Sequence, residues 1–293
     1  DSSVTGVQTC ALPISTDVKK RPLVTQLLDF YAANGLTVLR TWAFSDGDRP
    51  DALQTALVNA FAQNNDKILA GVLNEWTAAS LDFVVHQAAV RGIKLLLVLT
   101  NYWSDYGGMQ QYVRQFNKSW RNLSDDFLQR AEGATDVKSE AFYQDPKCFD
   151  AFVAFITGLL NRCNTISGVL YKDDPAVFAW SVANEPRLRE TQHARSYTLH
   201  TCLTASQRLC VFAGLVGAIG AVVKGVDQKH LLTFGSEGFY GPSTPGKSNQ
   251  VCLHFKFLNL DLLKLNPYST SDHGVDFLRH FEIECFDFGC FHL

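Results

Sequence analysis

The residues of this chain with the clearest chemical potential are Asn184 and Glu185, which end an apolar run from Ala176 to Ala183. A short apolar run after an Asp-Pro turn is typical of a strand buried on both faces, and Pro186 ends it because proline cannot continue a central strand. Glu185 is therefore predicted at the carboxyl end of a buried strand, where α/β enzymes place catalytic groups. Burial raises the pKa of a carboxyl group, which suits a general acid, although a glutamate at the start of a solvated loop fits the same pattern.

Three further predicted strands lead to polar or aromatic side chains at or near their carboxyl ends. These candidates are Arg40 and Trp42 in the strand at 37–44, Asn101 and Trp103 after the strand at 93–99, and Glu237 after the strand at 231–235. An aromatic ring can stack on the apolar face of a sugar, but core packing accounts for such residues equally well. By residue type alone, Arg40 could form a surface ion pair and Glu237 could be a second acidic partner of Glu185.

The apolar strands alternate with helical patterns, which predicts a parallel α/β sheet. The helices are expected at 21–34, 81–91, 109–116, 145–160 and 206–224, and a last strand at 286–293. Functional groups at several strand ends favour a (β/α)8 TIM barrel over a Rossmann-like sheet, and the chain has no GxGxxG motif.

Four segments together resemble glycoside hydrolase family 5, in its endo-β-1,4-mannanase branch. They occur in the order of that family, at 35–44, 101–108, 183–187 and 237–245. The resemblance implies a retaining enzyme that cuts internal β-1,4 bonds of mannan, glucomannan or galactomannan and needs no metal or organic cofactor. It implies that Glu185 protonates the leaving oxygen and then activates water as a base.

The resemblance also implies roles for the residues around Glu185. Asn184 would bind the sugar 2-hydroxyl, Arg187 would contact sugars on the leaving-group side, Arg40 would lie beside the nucleophile, and Trp42, Asn101, Trp103, Glu237 and His292 would contact substrate in the cleft. A lone histidine such as His292 is more often structural. The family usually has a second asparagine where this chain has Tyr102.

The resemblance runs, with gaps, from about Ser15 to Leu293 and covers strands two to six of an eight-stranded barrel. It implies a nucleophile beyond Leu293, so this chain alone is expected to be inactive. Residues 1–14 do not match the family and are expected to be a non-native leader before a partial catalytic barrel at 15–293, the alternative being a divergent terminus. Residues 246–265 are an insertion, either a cover strand or a translated intron. Two competing interpretations are a non-catalytic carbohydrate-binding protein and a nonfunctional truncated transcript product.

Composition narrows the partners of the chain. The net charge is −3 and no long basic run is present, which argues against nucleic acid or an anionic membrane. The partner that the family resemblance implies is a β-mannan polysaccharide. No apolar run is long enough to span a membrane. The eight cysteines have no metal-ligand spacing. Two glycosylation sequons, at Asn117 and Asn122, give weak support to an extracellular protein, although the N-terminus lacks a signal-peptide pattern.

Overall fold

The computed structural model describes residues 11–47, 49–54, 73–116, 141–143, 145–187, 205–237 and 283–288. Four strands lie in these ranges: β1 (Val38–Trp42), β2 (Lys94–Val98), β3 (Val177–Ser181) and β4 (Leu231–Thr233). Six α-helices accompany them: α1 (Ala11–Thr16), α2 (Arg21–Ala33), α3 (Glu75–Ala89), α4 (Gly108–Phe116), α5 (Pro146–Leu160) and α6 (Ala205–Val226). Two short 3₁₀ turns, Val18–Lys20 and Tyr171–Asp173, precede α2 and β3.

The four strands form one sheet in the order β1-β2-β3-β4, and every neighbouring pair is parallel. One row across the sheet joins Arg40, Leu96, Ala179 and Leu231. At least one helix separates each strand from the next along the chain, as parallel connections require. This order is that of successive strands in a (β/α)8 barrel, so the predicted fold class is confirmed.

The chain around Asp287 lies beside β4, where the sixth strand of the barrel was predicted. The main-chain N–H of Asp287 donates to the carbonyl of Leu232 at 3.0 Å, and the Asp287 carboxylate accepts from the Leu232 amide at 2.8 Å. Phe286 packs against Phe234, with ring centroids 5.4 Å apart. No strand is formed within 283–288, and the rest of the predicted strand lies outside the described residues.

Two of the described α-helices, α3 and α5, begin at a side-chain cap. Asp145 accepts from the Lys147 amide at 3.0 Å and opens α5, as the Asp-Pro pair predicts. Asn74 accepts from the Trp76 amide at 3.1 Å and opens α3. The predicted start of α3 at residue 81 is therefore wrong by six residues, because the capping asparagine was taken as part of a loop.

The amino-terminal helix α1 packs inside the described structure. Its residues Ala11 and Leu12 are buried in the main apolar core. The Ser15 hydroxyl donates to the carbonyl of Ser80 in α3 at 3.1 Å. The expected boundary after residue 14 therefore falls within a packed helix, while residues 1–10 lie outside the described part of the chain.

A buried polar cluster joins β3 to the link before β4. Trp180, which is fully buried, donates its indole N–H to the Asp227 carboxylate at 2.7 Å. The Nδ1 atom of His230 lies 2.7 Å from the same carboxylate, and its Nε2 atom lies 3.0 Å from the carbonyl of Asp174. Burial acts to raise the pKa of Asp227, but hydrogen bonds from His230, Trp180 and two main-chain amides outweigh it and lower the pKa to about 2.

We expect Asp227→Asn to destabilise the protein at neutral pH and to lose that effect in acid. A carboxyl group whose folded pKa is depressed contributes stability above its ordinary pKa, and the contribution disappears as pH falls through the folded value. The difference in urea midpoint between the two proteins should therefore shrink between pH 3.8 and about 2. Asp173→Asn is a matched control, because it removes a more exposed pair with Lys229 from the same region. A difference between Asp227→Asn and the parent that stays constant across this window would contradict the assignment.

Candidate active site

Glu185 follows β3 in a strained backbone conformation. Its φ is +48°, which non-glycine residues adopt rarely and often at functional sites. Its main-chain N–H donates to the carbonyl of Gly235, just after β4, at 2.9 Å. A Cβ atom on Gly235 would lie 2.1 Å from the carbonyl oxygen of Ala183, so only glycine allows this close approach of the two strand ends. The half-buried Glu185 side chain is thus fixed at the carboxyl end of the sheet.

The Glu185 carboxylate is held by a tryptophan from the neighbouring strand end. Trp103, in the loop after β2, donates its indole N–H to Oε2 of Glu185 at 2.7 Å. The guanidinium carbon of Arg187 lies 4.9 Å from the centre of the Trp103 ring. Trp103 therefore donates a hydrogen bond to Glu185, and the Arg187 cation lies over its ring. The sequence had suggested only that this ring stacks on a sugar.

A chain of hydrogen bonds crosses the strand ends beside Glu185. Arg40 donates from Nη2 to Oδ1 of Asn184 at 2.7 Å, and Asn184 donates from Nδ2 to Oδ1 of Asn101 at 2.9 Å. Because a guanidinium can only donate, Arg40 fixes which end of the Asn184 amide faces it. The cation of Arg40 also lies 5.2 Å from the ring centre of Trp42. Trp42 is 6% exposed and packs against Phe44, so most of its ring belongs to the core.

The second acidic candidate, Glu237, is engaged by Arg187. The Nε and Nη2 atoms of Arg187 donate to the two carboxylate oxygens of Glu237, which is a bidentate ion pair. The two side chains are 8% and 15% exposed, so water screens the pair only weakly. The carboxylate of Glu237 is therefore a partner of the guanidinium rather than an isolated acid.

The structure brings most of the candidate residues to one place. The contacts above connect Arg40, Trp42, Asn101, Trp103, Asn184, Glu185, Arg187 and Glu237 in small groups at the carboxyl ends of the four strands. His292 lies outside the described residues. Tyr102 is fully buried with its ring edge-on to Trp103 at 5.2 Å, and its amide donates to the carbonyl of Asn184.

Asp46, a buried polar residue between the loop after β1 and the loop after β2, was not singled out from the sequence. Asp46 is 3% exposed, and its carboxyl group accepts a hydrogen bond from Gln54 at 2.6 Å. Its only local signal is the Asp-Gly pair at 46–47, which also fits an ordinary turn. Within the described ranges no group of three or more His, Cys, Asp or Glu side chains could hold a metal ion. Helices long and apolar enough to cross a membrane are likewise absent from those ranges.

Comparison with known proteins decides the family. The profile described as GH family 5 beta-mannosidase-like matches residues 9–254, which is most of the chain. The chain belongs to glycoside hydrolase family 5. The matched range contains every candidate site residue except His292.

Relatives of this family 5 chain include two plant proteins. It is 33% identical over 284 residues to mannan endo-1,4-beta-mannosidase 8 of Oryza sativa subsp. japonica, covering 96% of this chain and 61% of that protein. It is also 33% identical over 274 residues to mannan endo-1,4-beta-mannosidase 2 of Arabidopsis thaliana, covering 93% of this chain and 50% of that protein. The chain thus spans about half to three fifths of the length of these relatives.

Solved structures of mannanases share the fold of this family 5 chain. The endo-1,4-beta-mannanase from Rhizomucor miehei matches with a TM-score of 0.66 and 28% identity, over 92% of this chain and 62% of that one. The mannanase from Thermotoga petrophila matches with a TM-score of 0.60 at 24% identity, over 92% of this chain and 63% of that one, and supports the barrel fold alone. The four described strands are accordingly part of a (β/α)8 barrel.

Proposed function

We propose that the protein hydrolyses internal β-1,4 bonds of mannan, glucomannan or galactomannan with retention of configuration. The observation that carries the proposal is the Glu185 carboxylate, fixed at the end of β3 and bonded to the Trp103 indole at 2.7 Å. A positioned carboxyl group at this edge of a barrel suits proton transfer to a leaving oxygen. The relatives from Oryza sativa, Arabidopsis thaliana and Rhizomucor miehei are named as mannan-cleaving enzymes, which supports mannan as the substrate.

In this mechanism Glu185 is the general acid of the first step and the general base of the second. A second carboxylate attacks the anomeric carbon, the glycosidic bond breaks, and the proton of Glu185 goes to the departing sugar oxygen. Glu185 then takes a proton from a water molecule whose oxygen attacks the anomeric carbon, and the bond between that carbon and the second carboxylate breaks. We do not assign that nucleophile to Glu237, because Arg187 holds both of its oxygens.

The side chains around Glu185 have supporting roles in the proposal. Asn184 uses one N–H on Asn101, and we assign its second N–H to the sugar 2-hydroxyl, where hydrogen bonds strengthen in the transition state. Arg40 orients that amide through its oxygen. Arg187, on the ring of Trp103, is placed to contact sugars on the leaving-group side. The polymeric substrate is too large to enter a cell, which favours an extracellular location for the protein.

The test is hydrolysis of polymeric mannan by the protein in the longest form that its source expresses. Viscosity should fall steeply at low release of reducing ends on galactomannan and glucomannan, as internal cleavage requires, and much less on cellulose and xylan. Proton NMR of the first product should show the β-anomer. Binding to mannan without release of reducing ends would support a non-catalytic carbohydrate-binding protein instead, and an α-anomer as the first product would exclude retention.

The indole N–H of Trp103 gives a second prediction for the acid/base residue. A hydrogen bond to a charged group contributes about 1.5–3 kcal/mol, so Trp103→Phe should lower kcat on mannan by roughly tenfold or more. The donor stabilises the ionised carboxyl group, so its loss should move the alkaline limb of the pH–rate profile to higher pH. Trp76→Phe is the control, because Trp76 is 61% exposed at the start of α3. An unchanged kcat, or a limb that moves to lower pH, would contradict the role of the indole.

A further inference from the structure

We propose that Asp46 is a positioning residue, whose buried carboxyl group fastens the loop after β1 to the loop after β2 and so holds the Trp103 indole on Glu185. This inference rests on the proposed role of Glu185 as the acid/base residue. Asp46 acts by positioning the loop at 101–108 and does not contact the substrate.

Asp46 is the start of a short buried hydrogen-bond chain between the two loops. Its Oδ1 atom accepts from Nε2 of Gln54 at 2.6 Å, and the same Nε2 lies 2.7 Å from the hydroxyl of Tyr112 in α4. These three side chains are at most 3% exposed. These hydrogen bonds therefore join the segment at 45–54 to α4, the helix that follows the Trp103 loop.

The main chain of Asp46 is pressed against the same loop. Its N–H donates to the carbonyl of Tyr106 at 2.7 Å. A Cβ atom on Gly107 would lie 2.4 Å from the carbonyl oxygen of Asp46, so that position accepts only glycine. Tyr106 itself has a φ of +58°, in the left-handed region. A loop bent this tightly keeps its shape only where its surroundings hold it, and Asp46 supplies two of those contacts.

The shape of this loop decides where the Trp103 indole lies. Trp103 follows Asn101, whose side-chain oxygen lies 3.3 Å from the Trp103 amide and whose carbonyl accepts from the amide of Met109 at 2.9 Å. A Cβ atom on Gly108 would lie 2.4 Å from the carbonyl oxygen of Asn101, so this position accepts only glycine. Release of the Asp46 end of this compact loop would therefore displace the indole from Glu185.

The charge state of Asp46 makes this support sensitive to pH. Burial raises the pKa of Asp46 to about 8, against the opposing effects of the Gln54 hydrogen bond, the Gly108 amide and the Arg49 cation. Among the residues that the structure describes, two ionisable groups face it, Arg49 from its own loop and Tyr112 from α4. Burial keeps the pKa of Tyr112 well above its usual value. Because Oδ2 of Asp46 is buried without a hydrogen-bond partner among the described residues, the hydrogen bonds and the Arg49 cation compensate the charge of the ionised carboxylate only in part.

The sign of the pH effect follows from the raised pKa. A carboxyl group whose folded pKa exceeds its ordinary value destabilises the fold progressively as pH rises from that value towards the folded one, here from 3.8 to about 8. The free energy that keeps the loop contact closed should therefore be largest in acid and fall as pH rises towards about 8, where Asp46 becomes ionised in the folded protein. Asparagine at this position keeps an uncharged acceptor and removes the transition.

The experiment is fluorine NMR of protein labelled with 6-fluorotryptophan, in which Trp103→Phe identifies the Trp103 signal. That signal should move with a midpoint near pH 8 in the parent protein and should not titrate there in Asp46→Asn. Arg49→Gln should move the midpoint to higher pH, because the Arg49 cation lowers the pKa of Asp46. An unchanged midpoint would show that the cation does not act on this carboxyl group. Glu185→Gln should leave the transition in place, which excludes titration of Glu185 as its source.

Turnover gives the second readout. Asp46→Leu should lower kcat by roughly ten- to a hundredfold, since a displacement of about 1 Å in an active site can have that effect, and Asp46→Asn should restore most of the loss. A Trp103 signal that does not titrate near pH 8, or that titrates equally in Asp46→Asn, would overturn the inference. The NMR measurement needs no substrate, so it stands or fails separately from the proposed hydrolysis.

Discussion

Glu185→Gln is expected to reduce kcat on mannan by about 10² to 10⁴-fold, because general acid–base help contributes that much to catalysis. Glutamine keeps the size of the side chain and an oxygen that can accept from Trp103 at the position where Oε2 lies. The backbone of Glu185 and its bond to Gly235 do not involve the side chain, so the variant should fold normally. The loss should therefore be one of proton transfer.

Activated substrates separate this role from general damage to the site. An aryl β-mannoside with a leaving group that needs no protonation should lose far less in the first step with Glu185→Gln than mannan does. Azide, which needs no general base, should accelerate the second step and yield the β-mannosyl azide. Equal losses on mannan and on the activated substrate, with no effect of azide, would remove Glu185 from the acid/base role.

Glu237→Gln is the matched control for this experiment. Glu237 lies in the same cluster and carries the same functional group, but both of its oxygens are bonded to Arg187. Its substitution should affect substrate binding through Arg187 and should not show the contrast between the two substrate types. If Glu237→Gln shows that contrast and Glu185→Gln turns over mannan normally, the assignment of the two glutamates is reversed.

The position of Glu185 could be predicted from sequence because the signals are local. An apolar run, an Asp-Pro turn before it and Pro186 after it together place the residue at the end of a strand. The structure agrees, since β3 ends at Ser181 and Glu185 follows within one short turn. Parallel pairing then brings the ends of β2 and β4 beside it, so the neighbourhood of the site also follows from the strand order.

The contacts inside the cluster could not be predicted in the same way. The Trp103 indole meets a carboxylate 82 residues later, and Arg187 meets one 50 residues later. Such pairings depend on side-chain rotamers and on the exact path of loops, which local patterns do not encode. Residue types alone left Glu237 open as a second acid, whereas in three dimensions it is the ion-pair partner of Arg187.

The largest effect on stability is expected at Asp82, on the helix before β2. Asp82 is fully buried and accepts two hydrogen bonds from Arg162, at 3.0 and 2.9 Å. It also accepts from the hydroxyl of Tyr171 at 2.7 Å and from the hydroxyl and amide of Thr165 at 2.8 and 3.1 Å. Burial acts to raise the pKa of Asp82, but these donors, Arg162 first among them, outweigh it and lower the pKa.

Asp82→Asn should destabilise the protein by about 3–5 kcal/mol, since it removes the buried partner of Arg162 and leaves that largely buried cation with the exposed Glu75 as its remaining carboxylate. The urea midpoint at neutral pH measures the loss. Asp29→Asn is the matched control, because Asp29 also bonds an arginine, Arg91, at 2.7 Å, but its side chain is 64% exposed. A surface pair of that kind contributes little to stability, because water screens its charges. Comparable losses at the two sites would contradict a special role for burial.

The double variant Asp82→Leu with Arg162→Met distinguishes the ion pair from the individual charges. If the loss in Asp82→Asn comes from a buried cation that keeps only the exposed Glu75 as partner, removal of both charges should recover part of it, although Tyr171 and Thr165 would still lack their acceptor. A double variant less stable than either single variant would show that packing around Asp82 dominates. The residues that contact Asp82 come before β3 along the chain, whereas Glu185 comes after it. Activity per folded molecule should therefore be unchanged in Asp82→Asn while the folded fraction falls.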